Sequence, residues 1–160
     1  MSNAVFSFDH IHIISREPKI SAQWYEEIFD ANIVREYESR RAPQIDVQLG
    51  GMTIIIRGKR PGEKPNSTSP IQHCQQYSSH NEWGTDHFGF IYHGDLIGFC
   101  NEIREKGVTF AVEPWEFLPG SVICYVSAPD DVSIKLIQAE PVSYTHLRAH
   151  ETSLHLVCRL

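Results

Sequence analysis

Apolar and polar positions alternate with period two between Val5 and Ile14. Phe6, Phe8, His10 and His12 fall on one face and Ser7, Asp9, Ile11 and Ile13 on the other, which predicts a strand. The period then lengthens. Pro18 suits a first helical turn, and Ile20, Trp24 and Ile28, with Tyr25 and Phe29 alongside, recur at helical spacing as far as Asp30 and Asn32. Three extended runs follow, Ile33–Tyr37, Gln44–Leu49 and Met52–Arg57, separated by Arg41-Ala42-Pro43 and by Gly50-Gly51. The unit is βαβββ.

Residues 59–83 carry Pro61-Gly62, Pro65-Asn66 and Ser67-Thr68-Ser69-Pro70, a turn-rich composition that predicts a long connecting loop. The pattern then restarts with a strand over Thr85–Tyr92. Asp95 caps a helix whose Leu96, Phe99, Cys100 and Ile103 face inward and which Gly107 closes. Strands over Thr109–Val112, Val122–Ser127 and Val132–Gln138 complete a second unit. The two units align element by element, with small gaps between elements. Asp9-His10-Ile11-His12-Ile13 matches Asp86-His87-Phe88-Gly89-Phe90 at an offset of 77, and Met52-Thr53-Ile54-Ile55-Ile56 matches Val132-Ser133-Ile134-Lys135-Leu136 at 80. The predicted fold is α+β, with two repeated βαβββ modules forming a curved mixed sheet around a central cleft. Residues 5–58 are the first module, 59–83 the linker, 84–139 the second module and 140–160 a tail outside the repeat.

At 160 residues and 41% hydrophobic content, the chain can bury one core shared by two small modules, which excludes wholesale disorder. A formal charge of -6 argues against a phosphate-binding surface for nucleic acid. No apolar run reaches the eighteen residues a membrane helix needs, and Met1–Phe8 lacks a secretion pattern, so a cytoplasmic protein is expected. Cys74, Cys100, Cys124 and Cys158 are widely spaced, which predicts reduced thiols. There is no Gly-rich phosphate loop, Gly-x-Ser-x-Gly elbow or Cys-His nucleophile signature.

From Phe8 to about Gln138 the chain resembles the vicinal oxygen chelate superfamily, which includes glyoxalase I, methylmalonyl-CoA epimerase, extradiol dioxygenases and fosfomycin-resistance proteins. The resemblance rests on Asp9-His10-Ile11, Trp24-Tyr25-Glu26-Glu27, Asp86-His87-Phe88-Gly89-Phe90 and the run from Ala128-Pro129-Asp130-Asp131 through Val132 to Gln138. It implies a cleft holding a divalent metal (Zn, Ni, Co, Mn or Fe), ligated by first-strand histidines and fourth-strand carboxylates or amides. The matching first-strand positions are His10 and His87. The fourth-strand positions fall at Ile55, which has no donor atom, and Lys135, which is a cation when protonated.

His12 lies about 6.5–7 Å along the strand from His10 on the same face, so His10, His12 and His87 form a candidate three-histidine metal site. Gln44, Asp46 and Gln48 share one face of the third strand and offer a further donor. Lys135 is read in three ways: a charge swap from glutamate, an anion contact or base, or a solvated side chain. Glu113 and Glu116, flanking Pro114-Trp115, are candidates for a general base, with a solvated loop face as the alternative. Trp83, Trp115 and Phe117 would wall an apolar pocket or pack in the core, and His80 is a loop histidine.

Residues 143–160 resemble translated sequencing-adapter read-through, and the spacing of His146, His150, His155 and Cys158 fits no zinc module. The functional expectation is metal-dependent lyase or isomerase chemistry on a small substrate with adjacent oxygens, in a homodimer with neither nucleic-acid nor membrane partners. An iron-dependent ring-cleaving dioxygenase and a metal-free small-molecule binding or sequestering protein are the alternatives.

Overall fold

The computed structural model describes residues 7–67, 69–73 and 76–138. The first module contains β1 (His10–Ile14), α1 (Pro18–Phe29), β2 (Asn32–Ser39), β3 (Ala42–Leu49) and β4 (Met52–Arg57). The linker holds β5 (Gln72–His73) and β6 (Ser78–Ser79). The second module contains β7 (Phe88–Tyr92), α2 (Leu96–Glu105), β8 (Phe110–Leu118), β9 (Ser121–Ala128) and β10 (Val132–Gln138), with a single 3-10 turn over Pro129–Asp131.

Each module forms one mixed four-stranded sheet, ordered β1-β4-β3-β2 in the first and β7-β10-β9-β8 in the second. The first strand of each lies parallel to the last: the helix carries the chain to the far edge of the sheet in the same direction, and two successive antiparallel connections bring it back beside the first strand. The expected α+β architecture of paired βαβββ units is present, hydrogen-bonded as two sheets. The repeat extends to strand register. His12 stands opposite Ile55, and its counterpart Gly89 stands opposite Lys135.

Alternation gives each sheet two different faces. In the first sheet Ile45, Val47, Ile54 and Ile56 are buried under α1, whose own buried residues are Pro18, Ser21, Ala22, Tyr25 and Ile28. Ile20, expected in that stripe, is 63% exposed, because the buried arc centres on Ser21 and Tyr25. In the second sheet Cys124, Val126, Ile134 and Leu136 join Leu96, Cys100 and Ile103 of α2 in the same core. Phe29 and Phe99 bring the two helices together, with ring centroids 6.1 Å apart.

Local chemistry sets the boundaries. The Asp95 side chain accepts from the Gly98 N–H at 3.0 Å, the predicted N-cap, and Gly107 adopts φ 87°. The β2–β3 turn is Arg40-Arg41, both with positive φ, so Ala42 and Pro43 belong to β3 and not to a turn. β8 runs through Pro114 to Leu118, further than expected. It is an edge strand with three register shifts, where a proline is tolerated. The linker also departs from a plain loop. Its β5–β6 hairpin lies against the second sheet, where the His73 Nδ1–H donates to the Ala111 carbonyl at 2.7 Å and Ile71 packs on the cluster of Val112, Ile123, Tyr125 and Trp115.

Candidate functional site

The faces not covered by helices carry the candidate chemistry. On the first sheet, cross-strand register places His12, Ile55, Asp46 and Arg35 in one row and Ile14, Arg57, Gln44 and Tyr37 in the next. This face is polar and internally satisfied. Asp46 accepts from Arg35 at 2.7 and 3.1 Å and from the Tyr37 hydroxyl at 3.1 Å, while Gln44 donates to Tyr37. Arg57, which is buried, donates to Glu63 of the linker at 2.7 Å.

On the second sheet, Gly89, Lys135, Tyr125 and Val112 form one row, and Ile91, Ile137, Ile123 and Trp115 the next. His87 precedes these rows on the same face by alternation. Its ring meets the edge of Tyr125 at 5.2 Å, and the Lys135 ammonium lies 5.6 Å from the centre of the same ring. Trp115 Nε1 is buried with no acceptor among the described residues. Gly89 is explained by packing, because a Cβ there would lie 2.9 Å from the Lys135 carbonyl oxygen. A histidine matching His12 could not stand in that strand without displacing β10.

Between the edges of β1 and β7 runs a groove of about 770 Å³, lined by His12, His80, Trp83, Asp86, His87 and Asp130 among others. His12 and His87 therefore share one groove. His10 is exposed, with its ring 6.0 Å from that of His12 and nearly edge-on. Burial, followed by the nearness of Arg57, His10 and Arg60, holds the His12 imidazole below its ordinary value. Trp83 is fully exposed at the groove's rim.

Both first-strand histidines are oriented by the residue before them. His10 Nδ1–H donates to Asp9 at 2.5 Å and His87 Nδ1–H to Asp86 at 3.0 Å, which leaves each Nε2 lone pair free. Asp86 also accepts from the Ser79 hydroxyl at 2.7 Å and the His80 N–H at 3.1 Å. The Ser79 hydrogen bond and the His87 contact hold its carboxyl below the usual range. The sequence signal for this role was the Asp-His pair itself, repeated at an offset of 77.

The remaining candidates lie apart. Glu113 is exposed and bonded to Arg104 of α2 at 2.6 Å, a commitment to the helix side of the sheet. Glu116 accepts from the Gly120 N–H in the next turn. His80 donates from Nδ1 to the Ser69 carbonyl at 2.8 Å. Phe117 packs edge-on against Trp115. His146, His150, His155, Cys74 and Cys158 lie outside the described residues. Among the described residues no three His, Cys, Asp or Glu side chains are placed to hold a metal ion. With Ile55 and Lys135 at the fourth-strand positions, the donor set within one chain does not fit an octahedral divalent metal.

The sequence profile of the glyoxalase/bleomycin resistance protein/dioxygenase superfamily matches residues 7–136, and the chain belongs to that superfamily. The fold is similar to a glyoxylase/bleomycin resistance protein/dioxygenase domain from Frankia sp. EAN1pec. That likeness has TM-score 0.65 at 19% identity and covers 85% of this chain and 99% of that one. It is also similar to the fosfomycin resistance protein FosX from Listeria monocytogenes, solved with Mn(II) and sulfate: TM-score 0.58, 14% identity, 85% and 94% covered. A glyoxalase I variant from Zea mays gives TM-score 0.60 at 17% identity, with 83% of this chain and 45% of that chain covered. At these identities the likeness is one of fold. No curated protein matches the sequence. None of the described helices is long and apolar enough to cross a membrane.

Proposed function

We propose that this chain binds a small anionic, oxygen-rich molecule on the helix-free face of its second sheet, without a metal ion. The observation that carries the reading is Lys135. It occupies the fourth-strand position, and its ammonium lies over the Tyr125 ring that His87 also contacts. The rows around it contain no carboxylate, and Lys135, Tyr125 and Trp115 can each donate a hydrogen bond there, while His87, its Nδ1–H held by Asp86, turns its Nε2 beside them. Such a surface complements carboxylate or phosphate-like oxygens, and the exposed Ile91 supplies apolar contact beside it. A dication placed there would be repelled by the ammonium.

A second reading, metal-dependent lyase or isomerase chemistry on a substrate with adjacent oxygens, is favoured by one feature. His10 and His87 are each held at Nδ1 by a carboxylate, the arrangement that fixes metal-ligating imidazoles. The superfamily includes metal-bound members such as the Mn(II) structure above. The ring-cleaving dioxygenase alternative has no such support, since Lys135 replaces the carboxylate that an iron triad needs.

Elemental analysis of the purified protein separates the two. The first reading expects no stoichiometric metal in the wild type, even after reconstitution, and a gain of metal affinity in Lys135→Glu. One metal per chain in the wild type, lost in both His10→Ala and His87→Ala, overturns it in favour of the second.

A further inference from the structure

Two buried thiols take no part in the reading above. Cys100 lies on the inward stripe of α2 and Cys124 on the face of β9 that α2 covers. Both are 0% exposed, and their Sγ atoms stand 3.6 Å apart. A disulfide needs about 2.05 Å, so closure asks for about 1.5 Å of movement shared between a ten-residue surface helix and a strand. Nothing intervenes between the two sulfurs, and the bond would tie together residues 24 positions apart, a loop whose closure stabilises the folded chain.

We propose that Cys100 and Cys124 are a reversible redox pair, oxidised by a peroxide to an intramolecular disulfide that ties α2 to β9. In the first step the Cys100 thiolate attacks one peroxide oxygen. An S–O bond forms, the O–O bond breaks, and the departing hydroxide takes a proton to become water. In the second step the Cys124 sulfur attacks the Cys100 sulfur. The S–S bond forms, the S–O bond breaks, and hydroxide leaves with the Cys124 proton as a second water. Two thiols are oxidised and one peroxide is reduced.

The surroundings divide the two roles. A hydrogen bond from the Cys124 thiol, helped by the nearby Arg104 charge, holds Cys100 below the usual thiol range. The same hydrogen bond and burial push Cys124 up. Cys100 also stands on the surface helix and Cys124 within the sheet beneath it, so Cys100 is assigned as the attacking sulfur and Cys124 as the resolving one. Hydrogen peroxide is close to water in size, and the outer face of α2 is open to solvent, so local fraying of this helix admits it. Both sulfurs lie on the side of the second sheet opposite Lys135, so the inference is independent of the proposed ligand site.

The test uses the full chain carrying Cys74→Ser and Cys158→Ser, so that only this pair remains. Native protein is treated with hydrogen peroxide, then examined by intact mass, by thiol titration in denaturant and by thermal unfolding. The expected result is a monomer lighter by about 2 Da, with both thiols lost and both restored by dithiothreitol. The melting temperature should rise by about 5 °C, and all changes should vanish in a further Cys100→Ser variant. Mass gained only as added oxygen, thiols that stay free, or a bridge that forms only in denaturant would each overturn the proposal.

Discussion

Asp130 shows how one residue joins the two modules. Its backbone is left-handed, φ 61°, and its carboxylate accepts from the Arg16 N–H at 2.9 Å and the Ser21 hydroxyl at 2.8 Å, across more than one hundred residues of sequence. The Asp130 side chain is 9% exposed and Ser21 is buried, so the Ser21 hydroxyl would lose this acceptor where water reaches poorly, whereas the Arg16 N–H lies in an exposed contact. Asp130→Ala is expected to cost about 2 kcal/mol in urea denaturation, combining two lost hydrogen bonds with a positive φ that alanine tolerates badly. Asp130→Asn, which keeps an acceptor and suits that φ, should cost about half as much. Equal and negligible losses in both variants would remove the clip from the account. The residue was visible in the sequence only as part of the Ala128-Pro129-Asp130-Asp131 motif. Its partners could not be read there, because they sit in the other module.

At the scale of elements, the linker departs most from its sequence reading. Glycine, proline and serine marked it as a connection, yet it lies on both sheets: Glu63 against Arg57 of β4, and β5 against β8. A short hairpin of polar residues has no periodicity to betray it, since its pairing is held by contacts with distant strands. The contact at Glu63 has a testable pH dependence. The Arg60 N–H and the Arg57 guanidinium hold its carboxyl below the ordinary range. A depressed folded-state pKa means that the stabilisation is complete above the ordinary carboxylate range and is lost as pH falls through the folded value. The wild type should melt above Glu63→Gln near neutral pH, and the gap should close in acid. A gap independent of pH would contradict the ion pair. The helices were more legible than the linker, because Pro18, Asp95 and Gly107 are local signals that act within one turn. Ile20 misled because it stood at helical spacing from Trp24 and Ile28 while the buried arc passed through Ser21 and Ala22.

For the whole molecule, the repeat did most of the predicting. Offsets of 77 and 80 matched His12 to Gly89 and Ile55 to Lys135, and the structure then shows the two members of each module side by side in the sheet. The tail stands outside this repeat, so deleting residues 143–160 should leave the melting temperature and the metal content unchanged. A fall of more than a few degrees would assign it a role in the fold. The homodimer expected from the superfamily is open to light scattering. It bears on the site, because β1 and β7 are edge strands and the groove between them is open to solvent.

Alternation, capping residues and self-similarity determined the βαβββ units and their order, because these signals act between residues close in sequence or between copies of one pattern, while the superfamily was legible in the short motifs that resemble it. They also placed His10, His12 and His87 on strand faces and exposed the departure at Ile55 and Lys135. Only the tertiary structure decided which of these groups meet. It put His12 and His87 on one groove and set Tyr125 between His87 and Lys135. It committed Glu113 to α2 and brought Cys100 against Cys124. Those outcomes depend on how two sheets, two helices and a linker pack, and the distances between them are set by side-chain volume summed over the core, which no local pattern records.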